Sequence, residues 1–276
     1  MKASFVKLSP SENTTIIVTD PSVKQGDYSK IAKAAMAYTH LYGEQVGFLT
    51  QKHSGRAKGR MEMSGGEFCG NGLLALGAYL AWTEGIEKDT FFLEFSGAAN
   101  TLVCEVEKIR PEKYRVKGEM PVKGYRVSKK EVKAGEKSVS GDLVEMEGIT
   151  HFLFQKPEEE SFKEDYPEML KNLSKDGKNL AYGALGYQIR KDSIHLSPWV
   201  YVPEVDSLRE ERSCGSGSLA LGLLWAKEKE ESIKIEIKQP GGTIAVEIAY
   251  DRRAKKVTAA SIETEVMITC EGNLLF

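Results

Sequence analysis

Two cysteines in this chain sit in settings suited to acid–base chemistry. Cys69 lies in the turn Ser64-Gly65-Gly66-Glu67-Phe68-Cys69-Gly70-Asn71-Gly72, followed at once by the apolar run Leu73-Leu74-Ala75-Leu76-Gly77-Ala78-Tyr79-Leu80-Ala81. Cys214 lies in Arg212-Ser213-Cys214-Gly215-Ser216-Gly217, followed by Ser218-Leu219-Ala220-Leu221-Gly222-Leu223-Leu224-Trp225-Ala226. Each is predicted to head an apolar helix. A cysteine there faces aligned backbone N–H groups that favour its thiolate, and the glycines let a bound group approach the backbone closely. One such turn is a weak signal, and two are a strong one.

The elements that must position these turns follow from the pattern of apolar residues. Phe5-Val6-Lys7-Leu8 and Thr15-Ile16-Ile17-Val18 read as strands joined by the polar turn Ser9-Pro10-Ser11-Glu12-Asn13. Ile31, Ala34, Ala35, Tyr38 and Leu41 recur at helical spacing, which predicts a helix over 28–42. A strand starts in Glu44-Gln45-Val46-Gly47-Phe48-Leu49, a polar hairpin loop covers 53–59, and strands flank a Ser96-Gly97 turn. Residues 108–140 are highly charged and read as the crossing between two halves, with surface strands such as Tyr114-Arg115-Val116. Beyond it come strands at 143–146, 151–154, 184–189 and 198–203, and an acidic, helix-compatible stretch at 158–172. Ile233-Lys234-Ile235-Glu236-Ile237 alternates, and a Gln239-Pro240-Gly241-Gly242 turn leads to a last pair of strands.

Laid side by side, the halves repeat. Cys214 follows Cys69 by 145 positions, and Gly242 follows Gly97 by the same 145. Val144-Glu145-Met146 follows Val6-Lys7-Leu8 by 138, and Leu185-Gly186-Tyr187 follows Val46-Gly47-Phe48 by 139. Consistent offsets argue for a duplicated strands–helix–strands unit with a cysteine at each central helix N-terminus.

Bulk properties bound the function. The 276 residues suffice for one large or two medium domains. With 38 basic against 40 acidic residues there is no general attraction to nucleic acid or to anionic membrane. The N-terminal apolar run is too short for a signal peptide and no later one could span a bilayer, so a cytoplasmic protein is expected. No cysteine pair has C-x-x-C spacing and histidines number four, which speaks against a structural zinc site. Cys104 and Cys270 read as small packed side chains, and His40, His53 and His195 have no distinguishing context.

With those residues in view, the chain resembles the diaminopimelate epimerase-like, cofactor-independent amino-acid racemases. The resemblance rests on the turns at Cys69-Gly70-Asn71-Gly72 and Cys214-Gly215-Ser216-Gly217, with Gln239-Pro240-Gly241-Gly242 and the Asn13 turn, and runs nearly the whole length. It implies an α+β fold of two pseudo-symmetric halves, each a β-barrel-like sheet around a central helix, with the site in the cleft between them. The expected halves are 1–124, joined by a returning C-terminal strand at 263–276, and 125–262. Within the family, Met63 to Asn71 and the Glu44-Gln45-Val46-Gly47-Phe48 segment look closest to the histidine racemases of opine metallophore pathways. Diaminopimelate epimerases carry a Glu-Arg-Gly-Ala-Gly run before the second cysteine, whose arginine grips the distal carboxylate. Here Val205-Asp206-Ser207-Leu208-Arg209 stands there, leaving Arg209, Arg212 or Arg60 as substitutes.

What this resemblance implies is racemisation by two thiols. One thiolate removes the α-proton from one face while an opposing thiol returns one to the other, and the reverse reaction exchanges their roles. Cys69 and Cys214 are the catalytic pair. The backbone N–H groups of Gly70, Asn71, Gly215 and Ser216 are placed to stabilise the charge growing on the substrate carboxylate. Asn13 is a candidate substrate contact, and Glu44 and Glu204 are candidates for holding an imidazole. His151 matches a family histidine with a core or cleft-wall role. No cofactor or metal is expected, the partner is a small amino acid, and a homodimer is one assembly open to the chain. Diaminopimelate or another diamino acid is the alternative substrate. An amino-acid-binding protein without catalysis is the alternative of another class.

Overall fold

The structure, a computed structural model, describes residues 2–135, 137–157, 163–175, 177–191 and 193–276. It is α+β and dominated by strands, and its chain divides into two units: Met1–Met120 with Glu263–Phe276, and Pro121–Ile262. Among the described residues no helix is long and apolar enough to cross a membrane.

The first unit runs β1 (Lys2–Pro10), β2 (Thr15–Val18), α1 (Tyr28–Met36), β3 (Gln45–Thr50), β4 (Gly59–Met63), α2 (Gly70–Glu84), β5 (Lys88–Phe95), β6 (Leu102–Arg110) and β7 (Lys113–Glu119). Its strands are ordered β1-β2-β3-β4-β5-β6-β7. Antiparallel hairpins alternate with two parallel pairs, β2–β3 and β4–β5. Parallel neighbours need a crossover, and α1 and α2 supply it. Because α2 is apolar on every face up to its last turn, it is buried along most of its length: Leu73, Leu74 and Leu76 are fully enclosed, and β1, β2 and β4 to β7 lie against it.

The second unit runs β8 (Arg126–Ala134), β9 (Lys137–Met146), β10 (Ile149–Gln155), α3 (Tyr166–Ser174), β11 (Ala181–Arg190), β12 (Ser193–Val202), β13 (Ser207–Glu210), α4 (Gly215–Lys229), β14 (Ile233–Gln239) and β15 (Gly242–Asp251). Its order is β15-β14-β12-β11-β10-β9-β8, with β13 beside β12. The parallel pairs β10–β11 and β12–β14 are bridged by α3 and α4. Here too the helix behind the cysteine, α4, is buried along its apolar residues, against β15, β14, β10 and β9. A 20-residue strand, β16 (Lys256–Leu275), ends the chain. Its C-terminal part pairs antiparallel with β1, from Lys2↔Leu275 to Pro10↔Val266.

Close packing explains glycines inside both buried helices. A Cβ on Gly77 would lie 2.5 Å from the Cys104 sulfur, and one on Gly222 would lie 2.7 Å from Val246 Cγ1. Each glycine is eight residues beyond its cysteine. Cys104 is thus a packed core side chain, and burial pushes its thiol up to about 12.

Three expectations need correction. The helix predicted over 28–42 stops at Met36, where the backbone of Ala37 becomes extended (φ −64°, ψ 139°). The chain turns instead, with Tyr42 N and Gly43 N donating to Ala37 O and Ala35 O. The Tyr114 strand is not a surface strand: Tyr114 and Val116 are 1 % and 0 % exposed, on the face of β7 that covers α2. Cys270 is exposed rather than packed. Between Lys7↔Cys270 and Leu8↔Ile268 the register slips past Thr269, and this bulge breaks the in–out alternation. In the stretch expected to be helical over 158–172, α3 begins at Tyr166, and residues 158–162 lie outside the described residues.

Candidate active site

In the first unit Cys69 is the N-cap of α2. Its backbone is extended (φ −130°, ψ 114°) and its sulfur accepts the Gly72 N–H at 3.2 Å, so the thiol sits at the positive end of a buried helix. Gly70 and Asn71 open the helix behind it, with Asn71 3 % exposed. The turn is braced by Ser96, whose Oγ accepts from Met63 N (2.9 Å) and donates to Glu67 O (2.7 Å). Gly97 follows with φ +69°, and a Cβ there would strike Phe68 N at 2.4 Å, so both conformation and space require glycine.

The parallel pairing of β2 with β3 brings the other first-unit candidates together. Glu44 N and Gln45 N both donate to Thr14 O, and Glu44 Oε2 accepts from Thr14 N at 2.9 Å, which fixes the Glu44 carboxylate beside Asn13. Asn13 is fully buried. The Cys69 thiol donates to Gln45 Oε1. Gln45 was not singled out from sequence, since its contact with Cys69 depends on the register of β3. Its only sequence signal is its place beside Glu44.

In the second unit Cys214 is the N-cap of α4, with φ −129° and ψ 107°, and its sulfur accepts from Gly217 N at 3.3 Å. Gln239 clamps the turn: its Oε1 accepts from Cys214 N (2.8 Å) and its Nε2 donates to Ser218 Oγ (2.8 Å). Gly241 N donates to Arg212 O, so the Gln239-Pro240-Gly241-Gly242 turn is laced to the cysteine turn. Ser216 Oγ lies 3.5 Å from the Cys214 sulfur and 2.9 Å from His151 Nε2. Burial raises the Cys214 thiol well above its ordinary range, and the adjacent Glu211 carboxylate, hydrogen-bonded to it, adds to the rise. Donation from Ser216 and from Gly217 N opposes both. Burial also pushes His151 down to about 3.

Glu211, three residues before Cys214, is the carboxylate at this thiol. Glu204 instead lies exposed on the short turn Pro203–Val205 and makes no hydrogen bond or ion pair among the described residues. Of the arginines that could grip a distal carboxylate, Arg60 is paired with Glu62 and Glu94, and Arg212 donates to Pro240 O. Among the described residues no group of three or more His, Cys, Asp and Glu could hold a metal ion.

Two solved structures share this fold. A hydroxyproline epimerase from Agrobacterium vitis, with trans-4-OH-L-proline bound, aligns at a TM-score of 0.69 and 10% identity, covering 99% of this chain and 92% of that one. A Bacillus anthracis phenazine biosynthesis protein of the PhzF family aligns at 0.68 and 15% identity, covering 100% of both chains. In sequence, the chain is 30% identical over 274 residues to a histidine racemase of Fusobacterium nucleatum subsp. nucleatum, covering 98% of this chain and 96% of the relative. The protein is therefore an isomerase, of the amino-acid racemase and epimerase class. The family model for the histidine racemase CntK N-terminal domain matches residues 2–275, and the chain belongs to that family.

Proposed function

We propose that this protein interconverts L- and D-histidine without an electron-sink cofactor, using Cys69 and Cys214 as the two proton-transfer groups. The observation that carries this reading is the matched construction of the two thiols. Each is the N-cap of a buried apolar helix, each accepts the N–H three residues on, and each is braced by a side chain from the following strand–turn segment, Ser96 or Gln239. Membership of the histidine racemase family supports histidine as the substrate.

In this mechanism one cysteine acts as thiolate and removes the α-proton, while the other, as thiol, delivers its proton to the opposite face. The protein's proton count is unchanged and the two sulfurs have exchanged roles. The α-proton is barely acidic, so the charge developing on the carboxylate must be met by fixed donors. The N–H groups of Gly70, Asn71, Gly215 and Ser216 open the two helices and carry the positive ends of their dipoles. Each acid or base supplies about 10²–10⁴-fold, which leaves much of the acceleration to these donors. Glu44, held by Thr14 N, is a fixed carboxylate suited to accept an imidazole N–H, and Asn13 beside it is a second polar contact. The exposed Glu204 has no comparable support. Among the arginines, the pairing of Arg60 with two glutamates removes one grip for a diaminopimelate substrate.

A substrate panel tests the reading. L-histidine should be racemised and diaminopimelate turned over at least tenfold less efficiently, as read by chiral chromatography. A preference for diaminopimelate would overturn the histidine assignment while leaving the chemistry.

A further inference from the structure

The second-unit thiol is linked through a hydroxyl to a buried ring that the two-thiol chemistry does not use. His151 is fully buried on β10. Its Nε2 lies 2.9 Å from Ser216 Oγ, and Ser216 Oγ lies 3.5 Å from the Cys214 sulfur. The other ring nitrogen, Nδ1, has no hydrogen-bond partner among the described residues. It faces Gly183 on β11, so closely that a Cβ there would come within 2.0 Å of it.

That lone nitrogen settles where the ring proton sits. A buried N–H without an acceptor costs more, and is rarer, than a bare lone pair. The proton therefore belongs on Nε2, which donates to Ser216 Oγ. With its oxygen accepting from His151, the serine hydroxyl has its own hydrogen left to aim at the sulfur. Burial keeps the ring neutral, so it does not itself take a proton from the thiol.

We propose that His151 is a positioning residue: it orients the Ser216 hydroxyl toward Cys214, so that Ser216 donates to the thiolate. This rests on the reading of Cys214 as a proton-transfer group. The arrangement makes Ser216 bifunctional, its backbone N–H serving the substrate carboxylate and its hydroxyl serving the sulfur.

The test reads the thiolate directly and without substrate, so it stands or falls separately from racemisation. Alkylation of Cys214 by iodoacetamide is followed peptide by peptide in the full-length protein at pH 8, with exposed Cys270 as an internal reference. A hydrogen bond to a charged group predicts that Ser216→Ala and His151→Leu each slow Cys214 alkylation roughly tenfold. The double variant should be no slower than either single one, because His151 acts through Ser216. His151→Gln, which carries an N–H where Nε2 stood, should restore the rate to within about twofold, whereas His151→Asn should not. These two variants decide the matter if His151→Leu does not fold. An unchanged rate in Ser216→Ala, additive slowing in the double variant, equal behaviour of Gln and Asn, or a wild-type Cys214 that does not react while Cys270 does would each overturn the proposal.

Discussion

At the scale of single residues, the proposed proton transfer depends on how each thiol is held and what surrounds it. Cys214 is raised by burial and by Glu211, so at neutral pH it is mostly protonated. On the proposed mechanism, in the direction in which Cys214 would take the α-proton, the rate should climb with pH above neutrality as the thiolate forms. Glu211→Gln removes one upward influence and should move that limb toward lower pH. A pH–rate profile of the two proteins checks this, and an unmoved limb would refute it. His151 yields a second pH effect, on stability. In the folded protein it stays neutral down to about pH 3, whereas an unfolded histidine binds a proton near its ordinary value of 6.5. Its contribution is therefore complete above 6.5 and is lost as pH falls, because only the unfolded chain takes up the proton. The loss should be about 2 kcal/mol between pH 7 and pH 5. Urea titrations of wild type and His151→Gln at both pH values should differ by that amount. Parallel curves would show that the ring is protonated in the folded state.

At the scale of elements, the cysteine turns depend on helices buried along most of their length and on strands that come unusually close to them. Gly77 of α2 meets Cys104 of β6, and Gly222 of α4 meets Val246 of β15. Gly77→Ala should destabilise the fold by about 1–3 kcal/mol through overpacking. Part of that should return in the double variant Gly77→Ala, Cys104→Ala, which frees the space the sulfur fills. A shared cavity should make the pair non-additive in urea unfolding; simple additivity would mean that the helix and strand do not meet there. Gly85→Ala is the contrasting control. Nothing lies within 4 Å of its added Cβ, but its φ of +68° makes any loss one of backbone strain. These elements were largely legible in sequence, because the glycine turns and apolar runs are local signals. The failures came where position depends on a distant partner. The burial of Tyr114 follows from β7 covering α2, and the exposure of Cys270 from a bulge against β1. In the same way, Gln45 reaches Cys69 across 24 residues and His151 reaches Ser216 across 65, through strand register that no local pattern encodes.

At the scale of the whole chain, two units repeat a common plan, each with two helix-bridged parallel strand pairs and one cysteine-capped buried helix. The first unit is completed only by the end of the chain, where β16 pairs with β1 along its length. Truncation after Ile262 should therefore leave the first unit unable to fold cooperatively, as read by a broadened or lost thermal transition. A sharp, native-like transition would contradict that dependence. On the proposed mechanism racemisation needs two proton-transfer groups, and each unit carries one of the two helix-capping cysteines. The most direct test of this is the first turnover of L-histidine in heavy water. Racemisation by two thiols predicts D-histidine bearing one deuterium at Cα while the remaining L-histidine stays unlabelled, with the mirror result from D-histidine, and no D-histidine from Cys69→Ser or Cys214→Ser. Early label in the recovered L-histidine equal to that in the product, or full turnover by both serine variants, would contradict it.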